Sequence, residues 1–393
     1  MTATADVLVQ RAADLVPVLR ERADETERQR RVPAQSIADL TAAGLFRILQ
    51  PRRFGGDELD YNVLIRVIAE VARGCGSTAW VYGLSATCQW LLSLFPTEAQ
   101  DEIWGATPDV HIQGAVAPSA VAEKVDGGYR IAGTWNFTSG CDNAEWMFVA
   151  ALLPGGDGAR PAPGFLLLPR REFRIEDNWH TVGLCGTGSK NVILDGSFVP
   201  AHRTIGFAAL SSGAAPGTAR NANPLYRIPF MAVIPIAIAA PALGIAQAAL
   251  DDFLAMVAGR STKGAVAGGG SKMAEFPAVQ TRVAEAAGLI DAARLLLLRG
   301  VDDVLAVASS GGAVDVGRRI RNRRDHALAV KFCVEAVNGL YAATGAGGLF
   351  LDNPLQRAWR DANAIAKHIS VNWDAVSTMY GQHAFGLEPR GQY

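Results

Sequence analysis

Apolar residues recur along this chain with two different periods, and the change of period divides it. Over residues 8–26 and 37–43 they return every three or four positions with charged residues opposite, which predicts amphipathic helices. The stretch 49–60, LQPRRFGGDELD, interrupts that pattern with a proline and Gly55-Gly56, and a further helix is expected over 61–73. GCGSTAW at 74–80 then opens an apolar helix that includes Trp90. Near His111 the pattern shortens. Residues 125–132 read as strand, Asp-Gly-Gly turn and strand, and 147–153, 164–169 and 191–199 are β-rich runs bounded by Pro and Gly. From Asn223 the helical period returns, predicting helices over 237–258, 277–307, 316–343 and 357–378, with a flexible glycine-rich loop at 264–271.

That order predicts an N-terminal helical domain over 1–110, a central β-barrel or sandwich over 111–222, and a C-terminal helical bundle over 223–393. A chain of 393 residues is long for a single core, in keeping with several domains. Hydrophobic residues make up 49% and charged residues 19%, the balance of a globular protein. A net charge of −1 without any basic stripe argues against a nucleic-acid partner, because phosphate binding needs clustered Lys and Arg. Five scattered cysteines without a CxxC pair signal neither a disulfide framework nor a zinc site, so reduced thiols and a cytoplasmic location are expected.

Residues 228–250 carry no charge and are long enough to span a bilayer. They also contain Pro229, Pro235, Pro241 and Gln247 and lack flanking basic clusters, so a helix buried within a bundle is expected instead of a membrane anchor.

Four segments suggest chemistry. RDANAIAKHIS at 360–370 and ATGAGG at 343–348 lie near the C-terminus. GTWNFTSGCDNAEW spans 133–146, and VGLCGTGSKNVILDGSFVPAHR spans 182–203. Together they resemble the signature segments of the acyl-CoA dehydrogenases, and the helical, β, helical order is that family's plan. Many members carry a catalytic glutamate about nine residues after the arginine of "RDA". Here Ile369 stands in that place beside His368, and no carboxylate follows until Asp374. Without a carboxylate, proton abstraction from an acyl thioester has no obvious base. The combination is similar to the flavin-dependent monooxygenases built on the same fold.

That resemblance implies a set of roles. Thr138 takes the position of the hydroxyl residue at flavin N5, where it would govern the lifetime of a C4a-hydroperoxyflavin. Phe137 and Ser139 flank it. Gly114, Ala115 and Val116 hold the place where the family contacts flavin, Arg260 matches an arginine used near it, and Gly345 and Ala346 would reach the flavin of a neighbouring subunit in a homotetramer. Trp80 and Tyr82 are candidate pocket walls. His368 is the candidate acid or base, with an imidazole titrating near neutrality. Helical spacing puts Asp361 and Asn372 on its face as candidate orienting groups, Asp361 alternatively holding Arg357 or Arg360. An ordinary core histidine is the competing reading, and plain core or helix-end roles compete at Trp80, Tyr82 and Arg260. Cys185 has nothing nearby to activate it, His111 is possible but unsupported, and the remaining histidines have no evident partner.

No nicotinamide fingerprint, Walker loop, HExxH or GxSxG occurs. A separate reductase is therefore expected to supply reduced FMN or FAD, which with O₂ would hydroxylate a small aromatic, phenol or indole, substrate. The alternatives are an acyl-CoA dehydrogenase with its base moved to Glu388 or Glu285, and an N- or S-oxygenase using the same flavin chemistry.

Overall fold

The computed structural model describes residues 3–155, 159–261 and 272–393. Six helices come first: α1 (Ala5–Glu21), α2 (Ala23–Gln29), α3 (Ala34–Ala42), α4 (Tyr61–Gly74), α5 (Gly76–Leu92) and α6 (Thr97–Trp104). The expected helix over 8–26 is thus two helices, bent at Arg22. Asp60 starts α4 by accepting from the Asn62 and Val63 amides, and a single extended residue, Cys75, separates α4 from α5. That abrupt junction fixes where α5 points.

Eight strands follow: β1 (Ile112–Ala115), β2 (Glu123–Val125), β3 (Gly128–Thr138), β4 (Trp146–Leu153), β5 (Ala162–Pro169), β6 (Arg174–Glu176), β7 (Lys190–Pro200) and β8 (Thr204–Gly206). They form two four-stranded sheets, ordered β1-β4-β5-β8 and β2-β3-β7-β6, with β1 parallel to β4. Met147, Val149, Leu166 and Leu168 of the first sheet meet Ile131, Trp135, Val192 and Leu194 of the second in one buried core. The architecture is a sandwich and not a closed barrel.

The chain returns to helix with α7 (Phe207–Ser211), α8 (Phe230–Val233), α9 (Ile236–Ala258), α10 (Pro277–Ser309), α11 (Val316–Ala342), α12 (Pro354–Ile365) and α13 (Trp373–Ala384). The stretch Phe230–Ala258 is long and apolar enough to cross a membrane, with mean hydropathy 2.0, yet 89% of its most apolar window is buried. Helices α4, α5, α10, α11 and α12 cover it. The glycine-rich loop expected at 264–271 lies outside the described residues.

The long helix expected over 357–378 is broken. Helix α12 stops at Ile365 and α13 restarts at Trp373, where Asn372 caps it by accepting from the Ala375 amide (3.1 Å). Residues 366–372 therefore form a turn that carries His368. Arg357 and Arg360 of α12 pair with Glu27 of α2, and Arg357 also with Asp24, which ties the first helical layer to the last. All five cysteines are free and buried. Burial pushes the Cys88, Cys141 and Cys333 thiols up to about 12 and raises those of Cys75 and Cys185 as well.

Candidate active site

Three elements converge at the sandwich edge: the start of α5, the end of β3 and the α12–α13 turn. Trp80 of α5 donates from Nε1 to Ser139 Oγ (3.0 Å), and its ring meets that of His368 edge-on, with centroids 5.6 Å apart. Ser139 follows a bulge where the β3–β7 register shifts between Trp135 and Thr138. Two backbone features shape this end of β3. Phe137 has φ of +60° although it is not glycine, and its side chain is 73% exposed. Such a conformation is costly and marks functional sites in general. Gly140 also has positive φ, and a Cβ there would fall 2.7 Å from both Gln113 and Val81. Only glycine lets the β3 turn close against β1 and α5.

The bulge decides which hydroxyl meets Trp80. Thr138 is fully buried and donates to the Trp135 carbonyl (3.2 Å), turned into the strand. Its neighbour Ser139 is the one that meets Trp80. From Ser139 a run of hydroxyls continues to Ser189 Oγ (2.7 Å) and Thr187 Oγ1 (2.7 Å), which donates to the Leu184 carbonyl (2.8 Å). Trp179 Nε1 donates to the same carbonyl (3.1 Å), and its ring lies edge-on to exposed Phe137 with centroids 6.2 Å apart.

Asp361 stands behind this run. Its Oδ1 accepts from the Leu184 amide (2.6 Å), holding Leu184 at φ of +51°. Gly183 allows the approach, since a Cβ there would lie 2.4 Å from the Arg360 carbonyl. Burial raises the Asp361 carboxyl to about 6. Asp361 therefore neither orients His368 nor binds Arg357 or Arg360, whose partners are on α2. The reason is the early end of α12, which removes the helical spacing that would have linked residues 361, 368 and 372.

His368 Nδ1 accepts from the Ser370 amide (3.1 Å). Burial, then the nearby Arg323 cation, lowers the imidazole to about 4, so it is neutral at pH 7 and does not titrate near neutrality.

The other expected residues separate into three groups. Gly114, Ala115 and Val116 run along β1 and just beyond it, where the preceding Gln113 donates to the Val81 carbonyl of α5 (3.3 Å). Tyr82 does not join the Trp80 cluster. It is fully buried, donates to the Leu45 carbonyl (2.9 Å) and packs edge-on to Phe46, because two residues of helix turn it away from the Trp80 face. Asn372 is occupied as the α13 cap. Arg260 forms a separate cluster, donating to the Thr344 carbonyl (2.8 Å) beside Gly345 and Gly347, with Gly345 and Ala346 exposed. No hydrogen bond between described residues joins it to the Trp80 cluster.

Sequence reasoning missed Ser189, Thr187, Trp179 and Arg323. The first two sit inside the GTGS segment, where glycines drew notice and hydroxyls did not. His111 bonds weakly to Thr41 Oγ1 (3.4 Å), away from this cluster. Glu285 and Glu388, the alternative bases, are exposed on the surface, and none of the contacts that build the cluster involves them.

These residues fit a flavin. Exposed Phe137 and half-buried Trp179 offer aromatic surface for a planar ring, Ser139 a hydroxyl, and the end of β1 the half-buried Gly114 and Val116. No cluster of His, Cys, Asp and Glu among the described residues suits a metal ion.

Comparisons with known proteins show the family. Residues 6–106 match the model for the acyl-CoA dehydrogenase N-terminal domain and residues 236–373 that for the C-terminal domain. The chain is 47% identical to the FADH(2)-dependent resorcinol hydroxylase oxygenase component of Rhizobium sp. strain MTP-10005, covering 98% of this chain and 96% of that one. It superimposes on the crystal structure of 3-HSA hydroxylase from Rhodococcus sp. RHA1 with TM-score 0.92 and 38% identity, covering 98% of both chains. XiaF from Streptomyces sp., solved in complex with FADH2 and glycerol, superimposes with TM-score 0.89 and 29% identity over 99% of this chain and 97% of that one.

Proposed function

Because the chain belongs to the acyl-CoA dehydrogenase family, we propose that its cluster of Trp80, Ser139 and His368 is the active site of a flavin-dependent aromatic hydroxylase. The protein is the oxygenase component of a two-component monooxygenase that works with a flavin reductase. One atom of O₂ enters an aromatic C–H bond, the other leaves as water, and reduced flavin supplies two electrons. The observation that carries this reading is a histidine, with no catalytic carboxylate, beside an aromatic shelf and a buried hydroxyl run.

Reduced flavin, when bound, supplies the oxygen-transferring chemistry; the chain supplies the rest. Phe137 and Trp179 would hold the flavin, together with Gly114, Ala115 and Val116. Ser139, in preference to Thr138, would offer it a hydroxyl. Trp80 and the sandwich edge exclude water. His368 meets the substrate oxygen. The substrate class is a small phenol of the resorcinol kind, by likeness to the 47% identical relative.

The same reading includes a homotetramer in the cytoplasm. Leu349, Phe350 and Leu351 are 68–79% exposed beside the Arg260 cluster, where a neighbouring copy would complete the flavin site with Gly345 and Ala346. A second apolar groove of about 410 Å³, lined by Ala292, Leu295, Leu296, Leu328 and Phe332, opens between α10 and α11.

The test is turnover with a separate reductase, NADH, ¹⁸O₂ and a panel of phenols, indoles and thioethers. One ¹⁸O atom is expected in a product that carries one hydroxyl more than its substrate. His368→Ala should lower product formation by about 10²–10⁴ while reduced flavin still reacts with O₂. Flavin bleaching by an acyl-CoA under anaerobic conditions, with no hydroxylation, would overturn the reading.

A further inference from the structure

Arg323 of α11 is a buried cation, 5% exposed, and no carboxylate of a described residue lies within salt-bridge reach of it. Its hydrogen bonds go to main-chain carbonyls: Nε to Gln392 (3.2 Å) and Nη1 to Ser370 (3.0 Å). Burying a guanidinium on such partners is costly, and burial lowers its pKa to about 10. A purely structural site would be better served by an apolar side chain.

The Ser370 peptide makes sense of the arrangement. Its carbonyl is held by Arg323, and its amide donates to His368 Nδ1 (3.1 Å). Ser370 lies in the turn between α12 and α13, which the Val371 amide closes by donating to the His368 carbonyl (3.0 Å). Arg323 is the side chain from another helix that holds the Ser370 peptide, the one that occupies Nδ1. A neutral imidazole carries a single ring proton, and a nitrogen accepting from an amide cannot carry it. The proton must be on Nε2.

We propose that Arg323 is the positioning residue for His368: by pinning the Ser370 peptide it fixes the imidazole in the Nε2–H tautomer, so that His368 meets the substrate oxygen as a hydrogen-bond donor. The Arg323 charge acts in the same direction, since a second cation beside it is disfavoured. Arg323, from α11, is the charged group that faces the ring, and Trp80 covers it from α5. A phenol or phenolate oxygen is then received as an acceptor. The consequence for substrate rests on the reading of His368 given above; the tautomer does not.

Selective ¹⁵N labelling of histidine reads the tautomer directly, in the protein without flavin or substrate. His368→Gln identifies the signal among the six histidines. In the wild-type protein at pH 7 a neutral ring with Nε2–H and bare Nδ1 is expected. Arg323→Met should release the Ser370 peptide and enlarge the Nδ1–H form by about tenfold, the worth of one hydrogen bond. Arg323→Lys, which can reach the Ser370 carbonyl, should restore the wild-type pattern. An Nδ1–H or doubly protonated ring in the wild-type protein overturns the proposal, even if the methionine variant does not fold. A methionine variant that folds and keeps the wild-type ring signals overturns it equally. Absence of hydroxylation with a correct tautomer would instead count against the proposed reaction.

Discussion

At the scale of single residues, Ser139 and Thr138 make opposite predictions although they are adjacent hydroxyls. Ser139→Ala leaves the Trp80 Nε1–H without its partner inside a buried site and the Ser189 hydroxyl with Thr187 alone. It should cost about 1–3 kcal/mol of stability and divert O₂ consumption from product to peroxide. Thr138→Val loses only the bond to the Trp135 carbonyl, and product formed per NADH should stay at the wild-type value. Equal coupling in both variants would remove Ser139 from the site. His326 offers a different test. It is fully buried, both ring nitrogens lack partners, and burial, then Arg323, lowers its pKa to about 3. The unfolded imidazole titrates near 6.5, so the unfolded chain binds the proton first. Stability that depends on the neutral ring is present above about pH 6.5 and is lost as pH falls toward 3. His326→Leu removes that dependence and the unsatisfied nitrogens, so it should melt higher at pH 7 by the equivalent of about 1–3 kcal/mol, with a gap that widens on acidification. A constant gap between pH 7 and 4 would refute this assignment. Residue identities such as His368, Trp80 and the T-S-G triplet were legible in sequence. Which of Thr138 and Ser139 meets Trp80 was not, because a one-residue bulge reverses the side and leaves no mark in the alternation.

At the scale of elements, the periodic segments were read well where packing and propensity agree. Helices α4, α9, α10 and α11 and strands β4, β5 and β7 lie within a few residues of expectation. Three short strands, β1, β6 and β8, escaped because three or four residues carry too little alternation. The break between α12 and α13 escaped for another reason. Nothing from Ala366 to Val371 is Pro or Gly, and the apolar spacing continues through it. The turn is held by one distant partner, Arg323 on the Ser370 carbonyl, and by the Asn372 cap, of which only the cap had a local signal. The β3 turn supplies the prediction at this scale. Gly140→Ala would need positive φ and place a methyl group against Gln113 and Val81. It should destabilise by about 1–3 kcal/mol and swing Ser139 away from Trp80. Tryptophan fluorescence beside thermal melting reads both, and a variant with unchanged melting would show that β1 and α5 can yield there.

At the scale of the whole molecule, the site exists because three separate parts of the chain meet. The α2–α12 ion pairs hold the first and last helical layers together, and the sandwich edge closes between them. That convergence could be inferred from sequence only through the family resemblance, since no local pattern encodes contacts across the 59 to 288 positions that separate residues 80, 139 and 368. Assembly is testable at this scale too. Leu295 is 68% exposed over the α10–α11 groove, and Leu295→Glu would bury a carboxylate in any apolar interface formed there. Light scattering should find the wild-type protein tetrameric and the variant smaller. An unchanged mass would place the interface elsewhere.

The buried cysteines bear on how long such a catalyst survives. Whenever reduced flavin and O₂ react without a substrate in place, hydrogen peroxide is released beside the protein that made it. Peroxide attacks the thiolate and not the thiol. With every sulfur buried, and Cys88, Cys141 and Cys333 held to about 12, almost no thiolate exists at neutral pH for the enzyme's own by-product to consume. After prolonged idling with reductase and NADH, titration of the unfolded protein should still recover five thiols per chain. Durability against self-inflicted oxidation is thus written into the packing, and wear should appear first at the half-buried methionines, Met256 and Met273.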